Sequence, residues 1–443
     1  MECFRILLRG DVVGFPVALN PSIFRSDFNH DPFAEKILDW DVSAGDDPAQ
    51  AVACVLLILV SVLLFVSGDG EPPGFDFSCF WAAGTMALDG HAASAYDWEQ
   101  LHQQIVVRMQ LINHVSYPYD QFPIPFFYPP VFFLVLAPLA LLPFPIAFWV
   151  WSAAKLFCWL LVIYAIRPRS AALLLALATP PIFYDMFHGQ SGLLAASLFG
   201  GILLTLNRRP IFSGFLLAFL IFKPQYGILL PFVLVATRRW SIIITTVLVM
   251  LALVLLTGVT FGWDTFRAFG EAATFGTTRF HLSGGLAWYN LSSVYGLLRL
   301  VGFGYGVALS FHIAVASATV IWVVVIWSRN VCFAIQAASL LVATPLISPY
   351  FAIYDLPILA MALVFLMNAN MDQVSLLSNR RALRIGLSTI IVLGYAFPFV
   401  LMPVGPFMCA TMIVIVWMKM RQLEASGIII SEQPRKSATV RGY

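Results

Sequence analysis

Nine polar residues of a largely apolar chain have the types and settings to do chemistry: Asp76, Tyr128, His188, Gln190, Lys223, Gln225, Arg279, His281 and Asp355. A carboxylate can take a proton from an attacking hydroxyl. Lys, Arg or His can stabilise the negative charge that develops on a phosphate. An acid near such cations suits group transfer with an anionic leaving group. Lys223 is the most demanding of the set. It lies between Phe222 and Pro224 inside an apolar run, and a buried ammonium needs an anion. Several acids and one histidine have plainer readings. His188 fits an interfacial histidine, Asp355 an N-cap for the helix that follows, Asp97 a cap after Tyr96, and Asp69 and Glu71 solvated loop acids. No P-loop or G-x-G-x-x-G fingerprint is present. Cys3, Cys54, Cys79, Cys158, Cys332 and Cys409 are scattered, which indicates neither a zinc site nor a disulfide framework. An acid beside His188 or His281 could hold a divalent metal, but no ligand spacing requires one.

The elements that position these residues are membrane helices. The chain is 60% apolar and 11% charged, against about 25% charged in an ordinary soluble domain. Its net charge of +2 argues for no nucleic-acid partner. Apolar runs recur from Ala51 to Met420, each near the roughly 20 residues a span needs. This predicts an all-α polytopic membrane protein of about 10–12 spans. Residues 1–50 form an N-terminal cytoplasmic arm, 51–420 the membrane domain, and 421–443 a cytoplasmic tail. The first apolar run begins too late for an ordinary signal peptide.

Basic pauses at Arg167-Pro168-Arg169, Arg208-Arg209, Arg238-Arg239, Arg329 and Arg380-Arg381 read as cytoplasmic turns. Between them stand polar turns, His188-Gly189-Gln190-Ser191-Gly192 and Lys223-Pro224-Gln225, flanked by arms short for a span. Irregular backbone at membrane depth is tolerated where it lines a cavity, so these turns are expected to face a cavity open to the outside. Outward loops are expected at about 67–126 and 262–293. The first is long and acidic, and its segments Phe77–Leu88 and Asp97–Ile112 have apolar residues at helical spacing, as surface helices would. Nucleotide donors are cytoplasmic, so an outward site needs a donor delivered through the membrane. A lipid-linked phosphate meets that need.

At these residues the chain resembles a known family. Asp76 opens a D-F-x-x-F-W-x-A-G segment, and Gly90 to Asp97 reads G-x-x-x-x-x-Y-D. Tyr128-Pro129-Pro130, Gly189-Gln190, Lys223-Pro224-Gln225, and Ser348-Pro349-Tyr350 with Tyr354-Asp355-Leu356 follow in order. Together they resemble glycosyltransferase family 87, multi-pass GT-C enzymes related to polyprenyl-phosphate-mannose-dependent α-1,2-mannosyltransferases. The likeness runs from about Asp76 to Leu356. Where Gly-Gln-Asn is commoner, this chain has Gly189-Gln190-Ser191. The resemblance implies a GT-C fold and inverting transfer of a hexose, mannose in those relatives, from a polyprenyl-phosphate donor to a lipid or glycan acceptor of the cell envelope. It implies that Asp76 is the catalytic base. Because a buried ammonium needs an anion, Lys223 is expected to hold the donor phosphate together with Arg279, with His188 as a hydrogen-bond partner. Tyr128, Gln190, Gln225, His281, Tyr350 and Asp355 are expected to bind donor phosphate or substrate. The expected location is the plasma (inner) membrane, with both termini inside and the site outward. A secondary transporter, which also uses broken helices, and an envelope scaffold are the alternatives.

Overall fold

Prolines and apolar runs decide where the helices of this chain start and stop. The structure, a computed structural model, describes residues 48–66, 73–113, 125–278, 288–368 and 376–425. Arg279, His281, Asp69, Glu71 and residues 1–47 lie outside them. Regular structure among the described residues is helical, apart from an isolated bridge between Leu291 and Ala352.

Helix α1 (Pro48–Val66) is the first apolar run. The polar stretch after it carries α2 (Phe75–Leu88), a 3-10 turn (Ala92–Tyr96) and α3 (Trp98–Asn113). Asp97 caps α3, its Oδ1 accepting from the backbone N–H groups of Glu99 at 3.0 Å and Gln100 at 3.1 Å. That satisfies two of the donors a helix start leaves open. Helix α2 is more deeply buried than an amphipathic surface pattern implies. From Phe75 to Ala87 every residue except Asp76 is buried.

A 3-10 turn (Pro130–Phe132) leads into α4 (Phe133–Ala140), and α5 (Phe144–Ile166) starts behind Pro143. Next come α6 (Ser170–Leu177) and α7 (Pro180–His188), bent by 64° at Pro180-Pro181. Proline lacks the N–H that would continue the helix. The same cause breaks the chain at Pro224. Helix α8 (Gly192–Thr205) and α9 (Pro210–Phe219) precede that break, and α10 (Pro224–Gly227) and α11 (Leu230–Ala236) follow it. Then come α12 (Trp240–Phe261), α13 (Asp264–Gly276), α14 (Val294–Leu300), α15 (Tyr305–Trp327), α16 (Phe333–Ile347), α17 (Pro357–Met367), α18 (Leu376–Val400) and α19 (Gly405–Ala425).

Among the described residues four helices are long and apolar enough to cross a membrane: α5, α12, α15 and the Arg381–Val400 part of α18. The bent pair α6–α7 makes a fifth when taken as one broken span. Further apolar segments of the 10–12 spans read from sequence are helices of 10–17 residues, α8 and α16 among them. Residues on α16, α17 and α8 are buried almost throughout and form the centre. Helix α12 instead exposes Ile244, Val247, Leu248, Leu251 and Leu255, an apolar surface suited to hydrocarbon.

The two kinds of turn gather at different helix ends. Arg239 donates to Leu206 O at 3.0 Å and to Asn207 Oδ1 at 2.7 Å. Arg167 donates to Met367 O at 2.8 Å. The polar turns meet one another instead: Gly74 N donates to Phe187 O at 2.7 Å, and Trp151 Nε1 to Gly189 O at 2.8 Å. Helix α8 runs from the polar turn at Gly192 to the basic turn after Thr205, about 20 Å at 1.5 Å per residue.

Candidate active site

The His188–Gly192 turn is built by two glycines. Gly189 closes α7 at a φ of +73°, a left-handed position that favours glycine. A Cβ there would lie 2.6 Å from Phe77 Cβ, and one on Gly192 would lie 2.2 Å from Tyr354 O. The missing side chains let α2 and the Tyr354-Asp355 segment press against the turn from two directions.

Between the glycines, the Gln190 side chain spans two partners. Its Nε2 donates to Asp76 Oδ2 at 2.9 Å, and its Oε1 accepts from the Tyr128 hydroxyl at 3.1 Å. Tyr128 lies in the irregular segment before α4, where burial pushes its phenol up to about 12. It therefore stays a neutral donor. Ser191 Oγ is 2.7 Å from the same hydroxyl. With the phenol proton given to Gln190, Ser191 is the donor in that contact. The residue that departs from the commoner Gly-Gln-Asn pattern thus joins the network. Tyr128 is held by rings: it stacks on Phe132 at 4.8 Å and meets the edge of Phe80 at 4.9 Å.

Asp76 stands in the first turn of α2, a favourable place for a carboxylate. His188 Nδ1 is 3.9 Å from its Oδ2. The two side chains are about one-fifth exposed, 21% for Asp76 and 23% for His188. Asp76, Tyr128, His188 and Gln190 are thus one cluster.

Lys223 meets its anion inside the protein. Its ammonium donates to Asp355 Oδ1, with both side chains buried. The other Asp355 oxygen accepts from Ala352 N at 3.2 Å. The Tyr226 hydroxyl lies 3.0 Å from Asp355 O, and the Tyr354 ring sits 5.1 Å from the ammonium. Asp355 is therefore an ion-pair partner at the end of the Ile353–Asp355 turn. The helix that follows has Leu356 at its N-cap and no side-chain cap, so the N-cap reading of Asp355 does not hold. Gln225 is half-buried, and its side chain makes no hydrogen bond among the described residues. Tyr350 is exposed, with its backbone N–H donating to Ser348 Oγ at 3.1 Å. Arg279 and His281 fall outside the described residues, so they are not located.

Sequence reasoning missed a second buried pair. Lys155, in the middle of α5, donates to Asp185 Oδ1 at 2.6 Å, and both side chains are fully buried. The signal was available: each is an ionisable residue within an apolar segment, which is costly and usually functional. Among the described residues no group of three or more His, Cys, Asp and Glu side chains comes together as a metal cluster.

The arrangement offers a half-open carboxylate held by an amide, with a histidine beside it and two neutralised ion pairs behind. That can accept a proton at a site shielded by aromatic rings. A family model described as glycosyltransferase family 87 matches residues 126–349, just over half of the chain. No curated protein and no solved structure gave a match. The matched stretch holds Tyr128, Lys155, Asp185, His188, Gln190 and Lys223, while Asp76 and Asp355 flank it on either side. Family membership decides for the transferase over the transporter and the scaffold. With its membrane-crossing helices and this match, the chain belongs to glycosyltransferase family 87 and is a membrane glycosyltransferase.

Proposed function

We propose that the protein moves a hexose, mannose in the first instance, from a polyprenyl-phosphate donor to a hydroxyl of a lipid or glycan acceptor at the outer face of the plasma membrane. Asp76 is the general base. The acceptor oxygen bonds to the anomeric carbon as its proton passes to Asp76. The bond from that carbon to the phosphate oxygen breaks, and its electron pair leaves with the polyprenyl phosphate. Attack opposite the leaving group inverts the anomeric centre. His188, with Arg279 and His281 from the second outward loop, is assigned to the phosphate. Lys223 is spoken for by Asp355 and instead holds that part of the pocket together, with Gln225 and Tyr350 left as substrate contacts.

The observation that carries this reading is the state of Asp76. It is the one unburied residue from Phe75 to Ala87, and among the described residues no Lys or Arg pairs with it. A base must keep a lone pair within reach of its proton. Asp76→Asn should cut turnover about 10²–10⁴-fold, the usual range for loss of a general base, with expression unchanged. Near-wild-type transfer by Asp76→Asn would place the centre elsewhere.

The outward assignment is supported by the gathering of basic turns away from the Asp76 cluster. Single cysteines at positions 190 and 208 should label from opposite sides of intact cells. Labelling of position 190 from the cytoplasm alone would reverse the topology.

A further inference from the structure

We propose that Lys155 and Asp185 are positioning residues: their buried pair fixes the Gln190 backbone so that its side-chain amide meets the Asp76 carboxylate. The inference rests on Asp76 being the base.

An ammonium has three protons to give, and each of the three at Lys155 is placed. One goes to Asp185 Oδ1 at 2.6 Å, one to Asp185 O at 3.2 Å and one to Gln190 O at 2.5 Å. The second Asp185 oxygen accepts from Leu193 N at 2.9 Å, in the first turn of α8. Gln190 N donates to Asp185 O at 3.0 Å. The pair therefore ties together the end of α7, the turn and the start of α8. Gln190 is held at both its N–H and its C=O, so its side chain leaves the backbone in a set direction. That direction is toward Asp76 Oδ2 and Tyr128. Tyr128 donates to the amide oxygen, so the amide nitrogen is the end that faces the carboxylate. This orients the Asp76 lone pairs for proton transfer without touching substrate.

A pair that only stabilised the fold would leave the chemical step alone. Removing both partners together avoids stranding a buried charge, which is what makes single removal so disruptive. The test uses full-length protein in lipid nanodiscs, a short-chain polyprenyl-phosphate mannose as donor and a mannose oligosaccharide as acceptor. Lys155→Met/Asp185→Leu should lower kcat roughly 10²-fold while the donor KM stays within about twofold, the pattern of an interaction made in the transition state. Gln190→Ala should show the same split. Residues acting as one unit are not additive, so combining the three changes should lose no more than Gln190→Ala alone. Lys155→Gln/Asp185→Asn removes both charges while keeping the side-chain sizes, and it carries the same comparison should the first double variant not insert. Wild-type kcat in the folded pair variants, or losses that multiply with Gln190→Ala, would overturn the assignment. If Asp76→Asn itself turns over normally, the reading of the base fails instead, a separate outcome from the first two.

Discussion

The carboxylates of Asp185 and Asp355 differ from that of Asp76 in how fully the protein answers them. Each of the first two is buried, with one oxygen on a lysine and the other on a backbone N–H. Asp76 has an amide on one oxygen and a histidine 3.9 Å away. Its other oxygen accepts no hydrogen bond among the described residues. Taking a carboxylate out of water costs several kcal/mol even after relaxation, so the answered acids belong to the fold. The partly unanswered one sits at the mouth of the site and is left for chemistry. Changes at Lys223 and Asp355 should therefore tell first on stability, and changes at Asp76 on turnover.

The largest loss of stability is expected from Lys223→Met. It strands a buried Asp355 and should cost about 3–5 kcal/mol, the range for breaking a buried pair, read as a lower unfolding temperature in detergent. Lys223→Met/Asp355→Leu should recover much of it. Gly192→Ala comes next. Its Cβ would meet Tyr354 O at 2.2 Å, and overpacking of that kind costs about 1–3 kcal/mol. Tyr128→Phe leaves the stacked rings in place but removes the hydroxyl shared by Gln190 and Ser191. About 1 kcal/mol is expected from that hydrogen bond, with a several-fold fall in kcat from the loosened amide. Asp76→Asn should change the unfolding temperature hardly at all while abolishing most turnover. Smallest is Arg267→Ala, which removes an exposed pair with Glu271. It is expected to change stability by about 0.3–0.5 kcal/mol and turnover not at all. If Asp76→Asn proved as destabilising as Lys223→Met, the contrast between the two regions would collapse.

Much of the fold could be read from local chemistry. Pro224 announced one break and Asp97 the start of α3, while the bend at Pro180-Pro181 lies within a segment read as one arm of a hairpin. The depth of α2 escaped the reading of it as a surface helix, although Phe75, Phe77, Phe80 and Trp81 put apolar bulk on several of its sides, the pattern of a buried helix. For the site, the motifs brought out Asp76, Tyr128 and Gln190, and the polar turn brought out His188. What they could not show was pairing. Nothing local to Lys223 says that its anion is Asp355, which is 132 residues away. Lys155 and Asp185 were passed over because each lies amid residues that read as ordinary span. Only the fold shows that one answers the other.

The separation of Lys223 from Asp355 also sets a schedule. Lys155 and Asp185 are 30 residues apart, so both leave the ribosome almost together. Lys223 is made 132 residues before its anion. At about 5–20 residues per second, that is a wait on the order of 10 s. During it, the ammonium between Phe222 and Pro224 has no carboxylate to enter the bilayer with. We expect the broken segment around Pro224 to stay at the membrane surface until α17 arrives, so that the last helices made complete the insertion of a much earlier one.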